Sequence, residues 1–92
     1  MKKIIMFHGR ECPHCAAMHP VVEKLANEGF VFEKLEVWHD KKNADEMRKH
    51  SKLFKEVCDG ELKVPTFFDE KANRAVCGEM SFSELKSWIQ KK

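Results

Sequence analysis

Residues 3 to 8, Lys-Ile-Ile-Met-Phe-His, make an apolar run of strand length that stops at Gly9, and a helix opens almost at once at Cys12-Pro13. No other feature restricts the fold as much. An apolar run without alternation is how a strand covered on both faces reads. Pro13 suits the first helical turn, where its missing N–H costs nothing. Met18, Val21, Val22, Leu25 and Ala26 recur at helical spacing, and Asn27-Glu28-Gly29 ends the helix with Gly29 at C′. Pro20 falls inside this helix and is expected to kink it. Phe30 to Trp38 reads as a second strand with charges on both faces, which suits a sheet edge. Two strands joined by a helix must run parallel, with a right-handed crossover.

The second half repeats the alternation. Asp40 or Asn43 can cap a helix over about 43–58, with Ala44, Met47, Leu53, Phe54 and Val57 as its apolar side and Asp59-Gly60 as its stop. Val64 to Phe68 reads as a third strand, 69–73 as a turn, and Ala75 to Cys77 as a fourth strand, which makes an antiparallel hairpin. Ser81 or Ser83 caps a last helix, and Ser81-Phe82-Ser83-Glu84 has capping-box spacing. The expected order is β-α-β-α-β-β-α: an α/β fold with a four-stranded mixed sheet and helices on both faces. The 92 residues suffice for one domain, spanning 1–92.

A net charge of +2, with no Lys/Arg run longer than two, points away from nucleic acid. No apolar stretch reaches the roughly 18 residues that a membrane span needs. Met1-Lys2-Lys3 and the short run after it fall short of a signal-peptide core and read as a strand with a charged start. A cytoplasmic location is expected. Cys12, Cys15, Cys58 and Cys77 are then not expected to be structural staples. Cys58 and Cys77 read as two small buried hydrophobes, with a regulatory disulfide or a glutathionylation site as the sharper alternative.

Cys12-Pro13-His14-Cys15 carries the chemistry. Only a thiolate attacks a disulfide, and helix N-termini and C-x-x-C settings favour the thiolate. Cys12, at the helix start, is expected to be the nucleophile. Cys15, one turn on and more buried, is expected to resolve the mixed disulfide. The redox group is this dithiol itself, with no other cofactor and no metal. Pro13 shapes the turn. His14, beside Cys12, is expected to stabilise its thiolate and so make the couple more oxidising. His8 reads as a strand-end histidine satisfied by backbone.

The combination of Cys12-Pro13-His14-Cys15, Pro20, Val64-Pro65-Thr66-Phe67-Phe68 and Gly78 resembles the thioredoxin fold, close to the small thioredoxin/glutaredoxin-like proteins of archaea and bacteria. With the element order, the resemblance covers nearly the whole chain. It implies that Val64-Pro65 is a cis bond facing the active site, and that Val64, Pro65, Thr66 and Gly78 form the substrate-binding edge, with close backbone approach at Gly78. It implies protein disulfides as substrates and a flavin- or ferredoxin-dependent reductase as the source of electrons, with the protein a monomer. The motif itself resembles that of the strongly oxidising periplasmic disulfide oxidase. The chain also departs from the family. Glu11 stands where thioredoxins carry Trp, and Met6 stands where they carry a buried Asp. Only one glycine precedes Glu79, where glutaredoxins have two to hold glutathione. Arg10 and Lys63 offer positive charge for an anionic substrate.

A reading of a different class is a metal-binding module: Cys12 and Cys15, with His8 or His14, holding zinc or an iron–sulfur cluster bridged between two chains. A third is a redox-silent interaction domain.

Overall fold

The computed structural model describes residues 3–91. Met1, Lys2 and Lys92 lie outside the described residues, and with them most of the charged start. The elements are β1 (Lys3–His8), α1 (Pro13–Asn27), β2 (Val31–Glu36), α2 (Lys41–Arg48), α3 (Ser51–Val57), β3 (Thr66–Asp69), β4 (Arg74–Cys77) and α4 (Phe82–Gln90). The sheet order is β2-β1-β3-β4. β1 and β2 are parallel, β3 is antiparallel to β1, and β4 is antiparallel to β3.

β1 is buried on both faces because helices cover both. Ile4 and Met6 pack with Met18, Val22 and Leu25 of α1 and with Leu85 and Ile89 of α4. Ile5 and Phe7 face the other way, into a cluster with Met47, Phe54, Phe68 and Ala75. The rings of Phe7, Phe54 and Phe68 sit at centroid distances of 5.5 and 5.1 Å. Each such buried side chain stabilises the fold by about 1.5–3 kcal/mol. The mixed sheet with helices on both faces stands as expected, and β2 is an edge strand.

Local signals set most of the boundaries. Gly29, at φ 103°, follows the α1 C-cap, and Asp59 and Gly60 take positive φ after α3. Ser81 and Glu84 form the capping box of α4: Glu84 N donates to Ser81 Oγ at 3.1 Å, and Ser81 N donates to Glu84 Oε1 at 2.9 Å. The α1 helix runs unbroken through Pro20.

Three expectations need correction. The helix expected over 43–58 is two helices. α2 starts earlier, with Asn43 N donating to Asp40 Oδ1 at 3.1 Å. The chain then leaves the helical path at His50, whose ring lies over Phe68 at 4.5 Å and beside Phe54 at 5.7 Å. The second strand ends at Glu36 rather than Trp38, because the Glu36 carboxylate accepts the N–H groups of Trp38 (3.1 Å) and His39 (2.7 Å) and turns the chain. The third strand starts at Thr66 rather than Val64. Pro65 has no N–H to donate to a ladder, and the Val64–Pro65 bond before the strand is cis.

Candidate active site

Cys12 is the N-cap of α1, with extended backbone and a sulfur that accepts the Cys15 N–H at 3.4 Å. A helix leaves its first N–H groups without intrahelical partners, and a side chain at the N-cap is what usually takes one. Pro13 begins the helix proper, as expected. Both cysteines are free thiols. The Cys12 S–H points across to the carbonyl of Val64, 3.7 Å away. The structure therefore brings together Cys12, Cys15, Val64 and the neighbouring Pro65, which are about fifty residues apart in the chain.

The two thiols differ. Cys15 is 1% exposed and packs against the α1–α4 core, whereas Cys12 keeps 5% of its surface. Burial pushes the Cys15 thiol up to about 12; the Gly9 N–H, 3.5 Å from its sulfur, pulls the other way, and Cys12 beside it adds to the rise. No buried acid lies next to it, since Met6 occupies that part of the core and the buried charged residue of the described chain, Asp69, pairs with Arg74 at 3.6 Å.

His14 is exposed, and its Nδ1 pairs with Glu79 Oε1. The histidine of the motif is thus tied to the segment that follows Gly78. Gly78 N donates to Pro65 O at 2.9 Å, which joins the end of β4 to the edge beside Cys12. The expected close approach at Gly78 is corrected: a Cβ there would meet nothing within 4 Å, and the glycine is needed for its φ of 94°. Thr66 is corrected too. It is fully buried, and its hydroxyl donates to Lys63 O at 2.5 Å, so its side chain shapes the edge and offers a substrate no surface. The Lys63 ammonium lies 3.6 Å from Glu61 and 4.0 Å from Asp59, which offset its charge.

His8 is not satisfied by backbone as expected. Its Nδ1 is buried with no hydrogen-bond partner among the described residues, and its ring meets His19 edge-on at 5.7 Å. Burial, then the nearby His19, hold this imidazole below its ordinary value, against an opposing pull from Glu36.

Sequence reasoning missed the loop that supports the motif. The Glu36 carboxylate accepts Arg10 N at 2.8 Å in addition to Trp38 N and His39 N, so one side chain fastens the approach to Cys12 and the turn after β2 together. His39 Nε2 in turn lies 2.7 Å from Glu11 Oε1. Burial pushes the Glu36 carboxyl up, but the His39, Arg10 and Trp38 N–H groups outweigh it and the net shift is down. A carboxyl depressed in the folded state contributes stability above its unfolded value, and that contribution is lost as pH falls through the folded value. Acidification below about pH 4.3, the unperturbed Glu value, is therefore expected to release this loop. Trp38 fluorescence followed against pH should show a transition that Glu36→Gln removes. An identical acid transition in the variant would rule Glu36 out as its origin.

Trp38 is half exposed and lies over Gly9, where an added Cβ would overlap its ring. The residue that stacks on the approach to Cys12 thus comes from the turn after β2, while Glu11 fills the position before the cysteine. Gly9→Ala is expected to cost about 1–3 kcal/mol as an overpacking change. Adding Trp38→Ala should recover most of it in thermal unfolding. A double variant no more stable than Gly9→Ala would show that the overlap is not the cause.

Cys58 and Cys77 are not two unbonded buried hydrophobes but realise the alternative reading, joined in a disulfide with a Cα–Cα distance of 5.9 Å. The chain could not reveal the pair, because their 19-residue separation acquires meaning only once α3 docks on β4. The bond lies on the sheet face opposite Cys12 and Cys15. Phe67 faces their cluster, whereas Thr66, whose Oγ1 is 3.9 Å from Cys58 Sγ, alternates to the other side with Phe68.

No protein-family model matches the sequence, and no curated protein matches it. Solved structures do. Oxidised thioredoxin O2 from Arabidopsis thaliana superposes with a TM-score of 0.67 at 19% identity, covering 98% of this chain and 73% of that one. A glutaredoxin from Archaeoglobus fulgidus superposes with a TM-score of 0.64 at 22% identity, covering 99% of this chain and 89% of that one. The chain has the thioredoxin fold.

Proposed function

For a thioredoxin-fold chain with this dithiol, we propose thiol–disulfide exchange with protein disulfides, in the reducing direction. The observation that carries the reading is the unlike pair at the start of α1. Cys12 is at the N-cap with its sulfur toward the Val64 carbonyl, and Cys15 is buried behind it with its thiol raised. The Cys12 thiolate attacks a substrate disulfide. The S–S bond breaks, one substrate sulfur leaves as a thiolate and is protonated, and a Cys12–substrate mixed disulfide remains. Cys15 loses its proton and attacks Cys12, and the second substrate sulfur leaves and is protonated. The substrate gains two electrons and two protons, and the protein ends as a Cys12–Cys15 disulfide. An extended substrate segment pairs with the Val64 backbone beside Pro65, where the proline has no N–H to occupy the edge. A flavin- or ferredoxin-dependent reductase restores the dithiol, and the protein acts as a monomer in the cytoplasm.

Among the described residues no helix is long and apolar enough to cross a membrane. The group there that offers three ligand atoms within 4.8 Å of one another is Glu46, His50 and Glu70, which contains neither motif cysteine.

Titration against a glutathione buffer tests the reading. A reversible two-electron couple at Cys12–Cys15 is expected, milder as a reductant than thioredoxin at about −270 mV. His14→Ala should shift it toward more negative values. Absence of any reversible couple would overturn the exchange reading. A wild-type potential at or below the thioredoxin value, unmoved in His14→Ala, would make the histidine a spectator whose partner is Glu79 alone.

A further inference from the structure

We propose that Cys58–Cys77 is a second thiol–disulfide couple, opened only by stronger reductants than those that reduce Cys12–Cys15, and that its opening loosens the Val64–Pro65 edge on which substrate docks. The second clause rests on the exchange reading of Cys12 and Cys15; the first does not.

The bond joins the C-cap of α3 to the last residue of β4. β4 is the outer strand of the sheet, so nothing pairs with its far side. Cys77 is partly exposed there, while Cys58 is 1% exposed. A dithiol reductant therefore enters at Cys77. Its thiolate attacks Cys77 Sγ, the Cys58–Cys77 bond breaks, and the electron pair leaves on Cys58 Sγ, which takes up a proton. The reductant's second thiol loses its proton and attacks the mixed disulfide. Cys77 leaves and is protonated, and the reductant ends as its own disulfide.

The leaving position makes this couple hard to reduce. Cys58 is buried, and it stands at the C-terminal end of a helix, where the backbone carbonyls disfavour negative charge. A poorer leaving group slows reduction, and a reduced form that lacks thiolate stabilisation favours the closed disulfide at equilibrium. Cys12 stands at the opposite end of its helix, among N–H donors. The two couples are thus ordered by the ends of the helices that carry them.

Opening reaches the site through a short path. Cys77 pairs in register with Thr66, and the next residue, Gly78, donates to Pro65 O at 2.9 Å. Val64, one residue back, carries the carbonyl that meets Cys12. Gly60 N donates back to Lys55 O on α3, and two other hydrogen bonds of the 58–66 connection close on the segment itself: Glu61 N to Cys58 O and Thr66 Oγ1 to Lys63 O. The disulfide is the covalent tie between this connection and β4.

The experiment equilibrates the full chain with graded ratios of reduced to oxidised dithiothreitol, alkylates free thiols with a maleimide and counts them by intact mass. Two thiols, at Cys12 and Cys15, should appear first. Two more, at Cys58 and Cys77, should follow at a ratio at least about tenfold more reducing, a step of about 30 mV, with the far-ultraviolet circular dichroism of the fold retained. Simultaneous reduction, the reverse order, or reduction of the second pair only on unfolding would each overturn the proposal. A Cys12→Ser/Cys15→Ser variant must show the second step at the same ratio, which tests the couple apart from the exchange reading. For the edge, KM for a synthetic disulfide peptide is compared between closed wild type and Cys58→Ala/Cys77→Ala. An increase of about threefold or more with little change in kcat is expected, the mark of weakened binding rather than altered chemistry. Wild type poised beyond the second step gives the same comparison without substitution. An unchanged KM overturns the gating, and failure of wild type to reduce any peptide overturns both the exchange reading and the gating, leaving the couple to stand on its titration.

Discussion

Cys12→Ser is expected to reduce insulin-disulfide turnover to background, while Cys15→Ser should complete one attack and stop as a covalent mixed disulfide on Cys12. The asymmetry follows from position. The Cys12 sulfur sits at the helix start against the Val64 carbonyl with 5% of the residue exposed, and Cys15, one turn in, keeps 1%. With its thiol raised to about 12 by burial, Cys15 is almost wholly protonated at neutral pH and cannot compete as the first nucleophile. It acts once the mixed disulfide has placed a sulfur one helical turn away, where proximity offsets a small thiolate fraction. Burial, the largest cause of that rise, persists in the mixed disulfide and sets the direction of the pH dependence of the resolving step; the part due to the Cys12 thiol does not. The Cys15 thiolate fraction grows tenfold per pH unit below the raised value. Single-turnover resolution should therefore accelerate as pH rises through the neutral and alkaline range. Mass spectrometry of the trapped species locates the bond. Full activity in Cys12→Ser, or a trapped substrate on Cys77, would defeat the mechanism.

Loss of the Cys58–Cys77 disulfide is expected to be the largest stability change available to a conservative pair of substitutions. The bond closes a loop between positions 19 apart. Cross-linking a loop of that size removes freedom from the unfolded chain and contributes about 3 kcal/mol. For a domain of this length each kcal/mol moves Tm by roughly 4–8 °C, so Cys58→Ala/Cys77→Ala should melt about 12–24 °C lower. The effect should concentrate on α3. That helix has seven residues, too few to persist without tertiary support. It is held by Phe54 in the core, by its packing on β4 and by the bond at its end. Thermal unfolding without reductant, compared between wild type and the double variant, measures the change. A Tm within about 3 °C of wild type, less than 1 kcal/mol on the same scale, would mean that the packing of α3 suffices alone.

What could be read along the chain was whatever rests on neighbours in sequence. Pro13 and the cysteine spacing place a dithiol at a helix start. Gly29 and Gly60 mark helix ends, and Ser81 with Glu84 makes a cap; each depends on residues within one helical turn. The parallel pairing of β1 with β2 and the β3–β4 hairpin followed from the element order, whereas the pairing of β1 with β3 that centres the sheet did not. The break at His50 was not legible, since the helical pattern continues through it and the reason for leaving it is a ring contact with Phe68 on a distant strand.

The cysteine motif itself was therefore determined by sequence: which residues form the dithiol, and that a helix start presents them. The tertiary structure decided what surrounds them. His14 finds Glu79, 65 residues on; Arg10 finds Glu36, 26 residues on; Trp38 covers Gly9; and Cys58 finds Cys77 on the far face of the sheet. None of these pairs has a local signature, because side chains so far apart in the chain become neighbours only after the strands have paired. Their contacts are products of the packed sheet and its covering helices, and burial in that packing is what raises the Cys15 thiol.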